Sequence, residues 1–464
     1  MSNSKENSPT ATAERKEGTA LSRAMRPVNH VVERFIPSSL VFSILLTFIV
    51  VILAFLLTDT PPGDLVVYWG DGLAGLLDFI TQMALILLLG HILANTGPIR
   101  SALGFLGGVP RTELTAYLFV FVVAALASLI TWGLGLVVGA LLAREVAYQG
   151  RARGLHLHFP MLVAAGFSGF VVWHMGYSAS GPLTAATEGS FLADALGGET
   201  IPISQTVFSS WNLLAAAATI LVVGLALFLI APRSGDKIFE LEVDLRETVD
   251  DGQEKVVTPA DRLDASRIVT LLIGLLLVTY LVLHFSRGGT LTLDTVNWSF
   301  LTLIMLLVRN PFELIALTKN AAANVGEILL QFPLYAGILG LMTGSGLVQI
   351  FSDFFVSISN PITFGVFAFL AAGLVNFFVP SGGGQFAVQG PIMLSAGSEL
   401  GVDPAITIMA VSYGDQWTNM IQPFWAIPLL AIAGLKMRDI LGYTTIALIA
   451  SGAVFAATLL LVSL

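Results

Sequence analysis

The sequence predicts an all-α polytopic membrane protein. It is read as two inverted repeats, each with a re-entrant hairpin and a broken transmembrane helix. Three observations carry that prediction. Of the 464 residues, 55% are hydrophobic and 11% charged, with a mean hydropathy of +0.83, where soluble domains are about 25% charged. Apolar runs of roughly 20 residues, the length of a bilayer-spanning helix, recur along the chain. Lys and Arg alternate between successive loops, which sets sidedness, and the two places where the alternation fails are where hairpins fit.

The elements follow in order. Residues 1–33 are polar and mixed in charge, unlike a cleaved signal peptide, and read as a cytoplasmic N-terminal tail. The first apolar run, 34–57, is a full span. Others fall at 73–94, 113–143, 160–180, 207–231, 267–285, 290–309, 326–349, 361–395, 404–428 and 439–463. Lys5, Arg15, Lys16, Arg23, Arg26 and Arg34 hold the N-terminus inside. Loop 58–72 has only acidic charges and lies outside, and loop 95–112, with Arg100 and Arg111, lies inside. The loop after 113–143 is basic again, with Arg144, Arg151 and Arg153. Both flanks of that run therefore belong to the cytoplasm, and it is too long for one span and too short for two, which need about 40 residues. A re-entrant hairpin with its tip at Thr131, Trp132, Gly133 and Gly135 resolves the conflict.

Beyond it, loop 181–206 has no basic residue, whereas 232–266 has Arg233, Lys237, Arg246, Lys255 and Arg262 and reads as a cytoplasmic connector. Arg309, Lys319, Lys436 and Arg438 are inside; only Arg287 sits on an outer loop. Nothing basic lies between Lys319 and Lys436, so 350–360 and 396–403 read as outer loops and 361–395 as a second hairpin entering from the opposite face. The organisation is then a tail (1–33), a first span (34–57), repeat one (73–183), linking helices (207–309), repeat two (322–428) and a last helix (439–464).

A shift of 249 pairs Gln82 with Gln331, Thr96 with Ser345, Gly97 with Gly346, Gly133 with Gly382 and Gly135 with Gly384. A shift of 244 pairs Pro160 with Pro404, Ser168 with Ser412 and Trp173 with Trp417. The identities are sparse, but the opposite charge flanks of the two hairpins support inversion independently. Inverted repeats with broken helices are an architecture of secondary transporters, which bind near mid-membrane between the repeats.

The second hairpin contains "VPSGGGQFAVQGP" (379–391). Irregular backbone at membrane depth is tolerated where it is buried in protein or lines a wet cavity. Gly382, Gly383 and Gly384 let backbone N–H groups approach a ligand, and a helix starting near Gln385 would aim its positive end at the same place. That suits a small carboxylate, with Ser381, Gln385, Gln389 and Asn376 as neutral partners. The competing reading is that the glycines allow tight helix packing. At the first tip, Trp132 either lies along an aliphatic tail or fills the hairpin interface.

The last helix of each repeat is interrupted, at "WHMGYSASGP" (173–182) and "SYGDQWTNMIQP" (412–423). His174 and Asp415 are ionisable groups within these segments, and such groups are functional candidates by default. Either would carry a coupling proton; Asp415 and Asn419, one turn apart, would alternatively hold sodium. Both also fit as hydrogen-bonded structural groups. Asp78, His91, Tyr177, Ser178 and Ser180 are weaker candidates. Zero Cys excludes disulfides and thiolate chemistry. No basic patch with interleaved aromatics points to nucleic acid, and no HExxH, GxSxG with partners or P-loop points to an enzyme or a nucleotide cofactor.

"NFFVPSGGGQFAVQGPIM" (376–393) and "WGLGLVVGALLAREVA" (132–147) resemble the short-chain fatty acid transporter family of the wider ion-transporter superfamily, with the likeness running from about residue 25 onward. The resemblance implies ion-coupled uptake of acids such as butyrate or acetoacetate across a bacterial inner membrane. It also implies an elevator-like motion and a homodimer. A C4-dicarboxylate carrier and a cation/proton antiporter are the alternatives; the lack of membrane-embedded Arg or Lys weighs against two substrate carboxylates.

Overall fold

The computed structural model describes residues 39–232, 238–241, 256–322, 325–376 and 381–464. The tail 1–33 with Arg34, most of the connector 232–266, and Val379 and Pro380 lie outside the described residues. Among the described residues all regular structure is helical. The chain runs through α1 (Ser39–Leu57), α2 (Pro62–Gly72), α3 (Leu77–Asn95), α4 (Gly97–Gly107), α5 (Glu113–Ile130), α6 (Trp132–Ala152), α7 (Phe159–Ser168), a 3₁₀ turn (Gly169–Met175), α8 (Ser180–Ala186) and α9 (Ser210–Ile230). It continues through α10 (Pro259–Asp264), α11 (Arg267–Ser286), α12 (Leu293–Leu307), α13 (Pro311–Ala322), α14 (Val325–Ser345), α15 (Leu347–Ile358) and α16 (Phe364–Asn376). Last come α17 (Gly382–Glu399), α18 (Pro404–Thr418), a 3₁₀ turn (Asn419–Ile421), α19 (Pro423–Ala433) and α20 (Met437–Val462).

Six described stretches are long and apolar enough to cross a bilayer: α3, α5, Phe159–Ala186, α9, α11 and α20. Leu329–Ser345 and Leu347–Ile358, bent by 80°, make a seventh if taken together. Five supposed loops contain helix: 58–72 holds α2, 95–112 holds α4, 181–206 holds most of α8, 232–266 holds α10 and 350–360 holds most of α15. Pro62 and Pro98 sit in first-turn positions, where a missing N–H costs nothing. These helices are shorter than a span, so a search for long apolar runs passes over them.

In the first hairpin, Thr131 alone joins α5 to α6, in an extended conformation that ends one helix and stands at the N-cap position of the next, its buried Oγ1 without a hydrogen-bond partner. Gly135 lies against Ser128, so the two arms meet at backbone distance. The second arm runs beyond 143 to Ala152, taking Arg144 and Arg151 into the helix; arginine is a good helix former, and nothing breaks the run there.

The repeat is visible in the element order and is wider than 73–183 and 322–428. A shift of 249 carries Pro62 of α2 onto Pro311 of α13, both at the first helical position, and brings α3 onto α14, α4 onto α15, α5 onto α16 and α6 onto α17. Packing is reciprocal across the halves. α1 and α2 pack on α14, while α12 and α13 pack on α3; α19 packs on α6, while α8 packs on α17; α9 and α20 pack on each other. Reciprocity of that kind is what a two-fold relation requires. Among the described helices, α10 and α11 have no counterpart.

Two apolar cores result. One joins α5–α7, α9 and α16–α20, and the other joins α1–α3, α12 and α14. Ala179, Leu183, Ala387, Val388 and Ile392, on α17 and at α8, belong to the second core and form its seam with the hairpin unit. Within the first core, Gly139 of α6 and Gly166 of α7 touch through their backbones. A Cβ on either would lie 2.8 or 2.7 Å from the other's carbonyl oxygen. Gly166→Val is expected to cost about 3 kcal/mol or more, because rigid backbone cannot yield, and to lower the melting temperature in detergent. Gly104→Ala, which meets nothing within 4 Å, is expected to leave it unchanged or raise it slightly.

Candidate functional site

α16 and α18 approach at backbone distance because Gly414 lies on Phe369 and Gly373, and Gly373 lies against Trp417. That contact places Asn376, the last residue of α16, beside the end of α18. Its Nδ2 donates to the Asp415 carbonyl at 2.8 Å, to Thr418 Oγ1 at 2.9 Å and to Asn419 Oδ1 at 2.6 Å. The 3₁₀ turn 169–175 adds His174 from the other repeat. Its backbone N–H donates to Gln416 Oε1 at 2.8 Å, and its Nδ1 lies 3.1 Å from the Ser412 carbonyl and 3.2 Å from Asp415 Oδ2. A carbonyl only accepts, so Nδ1 carries the hydrogen and Nε2 of the neutral ring is bare.

The helix of the glycine stretch starts at Gly382, three residues before the expected Gln385. The reason is local: Ser381 is its N-cap, with Oγ accepting from the Gly384 N–H at 3.3 Å. Each glycine faces a ring. A Cβ on Gly382 would lie 2.5 Å from His174 Nε2 and 2.7 Å from Trp173; on Gly383, 2.8 Å from Phe79; on Gly384, 2.6 Å from Tyr335. The glycines therefore do pack tightly, as the competing reading holds, and what they pack against includes His174. Gln385 Nε2 donates to the Ala372 carbonyl at 2.8 Å, one turn before Asn376 on α16, and to Gln389 Oε1 at 3.0 Å.

The structure thus gathers Asn376, Ser381, Gly382, Gln385, Gln389, His174, Asp415 and Asn419 into one buried region. Thr131, Gly133 and Gly135 have Gly90, His91 and Ser128 as close neighbours instead. Trp132 stands edge-on to Trp425 at 5.2 Å, and Trp425 packs on Phe170 and Trp173, so aromatic rings connect the first tip to the cluster. Asp78 is exposed at the start of α3, and His91 is half-buried. Tyr177 donates to Ser299 Oγ at 2.8 Å. Ser178 and Ser180 are buried with no hydrogen-bond partner for either hydroxyl. Sequence reading missed Gln416, Thr418 and Trp173. An amide beside Asp415 in an apolar helix was the available signal for Gln416.

The cluster is unusual in what it leaves unbonded. His174 and Asp415 are each 1% exposed, yet Asp415 Oδ1 and Oδ2, His174 Nε2, Asn376 Oδ1, Gln385 Oε1, Gln416 Nε2, Asn419 Nδ2 and Trp173 Nε1 have no hydrogen-bond partner. Buried polar atoms are ordinarily satisfied, and such a concentration marks a place for a ligand, ion or water. No Lys or Arg is buried among the described residues.

Two reciprocal halves, paired hairpins and interrupted helices closing on a buried polar cluster define a polytopic membrane transporter. The chain belongs to the short-chain fatty acid transporter family, whose profile, "Short chain fatty acid transporter", matches residues 20–462. It is 40% identical over 442 residues to a "Putative short-chain fatty acid transporter" of Escherichia coli (strain K12), covering 94% of this chain and 98% of that one. It is 37% identical over 443 residues to a protein of the same name from Haemophilus influenzae (strain ATCC 51907 / DSM 11121 / KW20 / Rd), with the same coverage. Its fold is shared with the crystal structure of the YdaH transporter of Alcanivorax borkumensis, with a TM-score of 0.59, 15% identity, and 91% of this chain and 98% of that chain covered.

Proposed function

We propose that this transporter is a cation-coupled carrier of short-chain monocarboxylates such as butyrate and acetoacetate, seated in a bacterial inner membrane with its N-terminus in the cytoplasm. The observation that carries the reading is the set of unbonded donors in the buried cluster that Gly382, the first residue of α17, touches through His174 and Trp173. Trp173 Nε1, Gln416 Nε2 and Asn419 Nδ2 are buried donors without acceptors. The first-turn N–H groups of a helix also have no intrahelical partner, and Ser381 takes only that of Gly384. A carboxylate is an acceptor on both oxygens, and the positive end of the helix favours its charge. With no Lys or Arg buried among the described residues, the site suits one carboxylate and releases it readily, which favours a monocarboxylate over a dicarboxylate.

Trp132, Phe170, Trp173 and Trp425 supply an apolar wall for a short alkyl tail. The two cores suggest how the site changes sides: the hairpins and broken helices move as a unit along the seam at Ala179, Leu183, Ala387, Val388 and Ile392 while the second core stays in place. The test is uptake of labelled butyrate and acetoacetate by purified protein in liposomes under separate proton and sodium gradients, with succinate as competitor. Saturable uptake that succinate does not inhibit is expected; absence of uptake from folded protein would overturn the reading. Trp132→Ala is expected to widen the tail site. Each methylene buried contributes about 0.8 kcal/mol, so the ratio of hexanoate to butyrate uptake should rise about tenfold. An unchanged ratio would remove Trp132 from the tail site.

A further inference from the structure

The unbonded donors of the cluster come from different repeats. Trp173 lies in the 3₁₀ turn 169–175, and Gln416 and Asn419 lie at the end of α18. A carboxylate that takes hydrogen bonds from both segments depends on their spacing, so whatever holds that spacing sets its affinity. Two contacts hold it directly, from the His174 backbone N–H to Gln416 Oε1 and from His174 Nδ1 to the Ser412 carbonyl. A third connection runs through α9, and neither of its side chains belongs to the cluster.

Asn212 stands in the first turn of α9, where its backbone N–H donates to Oγ of the N-cap Ser209 at 3.3 Å. Its Nδ2 donates to the Val207 carbonyl at 2.6 Å and, across to the turn, to the Met175 carbonyl at 3.2 Å. Carbonyls only accept, so the amide is fixed with Oδ1 facing the other way. There Oδ1 accepts from the Tyr413 hydroxyl at 2.7 Å. Asn212 and Tyr413 are both 0% exposed, and their side-chain polar atoms are all bonded, in contrast to the cluster beside them. The Tyr413 ring is stacked on Phe455 at 4.8 Å and edge-on to Trp211 at 6.4 Å, so it is not free to follow a displaced partner. Met175 adjoins His174, and Tyr413 adjoins Ser412. The path is therefore closed: from the turn to α9, to α18 and back to the turn through His174.

We propose that Asn212 and Tyr413 are positioning residues for the substrate site. They clamp the two interrupted segments at the separation at which Trp173 of one repeat and Gln416 and Asn419 of the other reach the same carboxylate. The two direct contacts both pivot on His174 and leave the turn free to rotate about it. The bond path through α9 closes the ring and removes that freedom. Fully satisfied buried polar networks specify one arrangement in this way. That the clamp serves a carboxylate rests on the carrier reading; that it fixes the turn against α18 does not.

The test uses Tyr413→Phe, which removes one hydroxyl, keeps the ring and touches nothing in the cluster. For purified full-length protein in liposomes, the half-saturating butyrate concentration should rise about tenfold, since small displacements weaken a preorganised site strongly. The maximal rate should change little, and the melting temperature should fall only by what one buried hydrogen bond supplies. Asn212→Leu, which drops all three bonds, should raise the half-saturating concentration further. The double variant should be no worse than Asn212→Leu, because the two side chains act through one shared bond. A half-saturating concentration unchanged by Tyr413→Phe, or a double variant showing the product of the single effects, would overturn the clamp. The second readout needs no substrate. The Trp173 ring lies 3.5 Å from the His174 ring, so its emission, isolated by subtracting the spectrum of Trp173→Phe protein, reports the position of the turn. That emission should shift in Tyr413→Phe, and an unchanged spectrum would also overturn the clamp. Should Asn212→Leu fail to fold, Tyr413→Phe decides. If wild-type protein takes up no butyrate, the carrier reading falls and the emission alone judges the clamp; butyrate uptake with wild-type half-saturation in Tyr413→Phe does the reverse.

Discussion

Asp415→Asn should leave a folded, membrane-inserted protein whose gradient-driven uptake falls about a hundredfold or more. The two effects separate because the substitution preserves shape. The amide that replaces the carboxylate keeps an oxygen near His174 Nδ1, the backbone carbonyl at this position still accepts from Asn376 Nδ2, and the helix contact through Gly414 is unchanged. What disappears is the one formal negative charge in the cluster. A buried charge without a partner is a burden on the folded state, so the variant should melt at the wild-type temperature or above it in sodium-free buffer. Coupling needs that charge, whether it is answered by sodium or by a proton. Exchange of labelled for unlabelled butyrate under no gradient distinguishes two forms of failure. Retained exchange with lost accumulation means uncoupling, and loss of both means that the charge is also needed for the substrate-loaded state. Accumulation with an unchanged dependence on the driving ion would remove Asp415 from the mechanism.

Much of this site is legible in the sequence because membranes punish irregular backbone. A Pro-Ser-Gly-Gly-Gly run in an apolar segment has few harmless explanations, and an Asp or His in one has fewer. Those features locate α17, the turn at His174 and the end of α18. The charge conflict around 113–143 locates the first hairpin, down to the turn at Thr131. What the sequence hides is of two kinds. Short helices such as α2, α4 and α15 leave weak traces, since a helix below the spanning length has no uniform apolar run; Pro62 and Pro311, 249 apart, are the overlooked clue to how wide the repeat is. The second kind is partnership. That Trp132 meets Trp425 of the other half, that Gly139 meets Gly166, or that Asn376 spends its amide hydrogens on α18 depends on which helix lies opposite. Local spacing does not encode that. The orphaned oxygens of Asn376 and Gln385 are likewise visible only once their nitrogens are known to be engaged.

Gly382→Val carries the other large effect, and here fold and transport are expected to fail at the same point. The first position of α17 sits where a β-carbon would press to 2.5 Å from His174 Nε2 and 2.7 Å from the Trp173 ring. Neither ring has room to retreat: Trp173 is stacked on Phe170 at 5.7 Å and packed on Trp425, and His174 is held by Ser412 and by Gln416 through its backbone. Overpacking of this kind costs about 1–3 kcal/mol, less than most folded domains possess, so insertion should survive. The hairpin tip would yield instead, moving the first-turn N–H groups away from Trp173 Nε1, Gln416 and Asn419. A carrier that binds an anion only through neutral donors has no fixed charge to compensate for such a displacement. Uptake of butyrate should therefore fall below about one hundredth of wild type, as misplacing a binding group by an ångström commonly does to a preorganised site. Gly382→Ala, with a smaller side chain, should lie between. Normal uptake by the Val variant, with normal melting, would mean that the anion does not sit at this helix end.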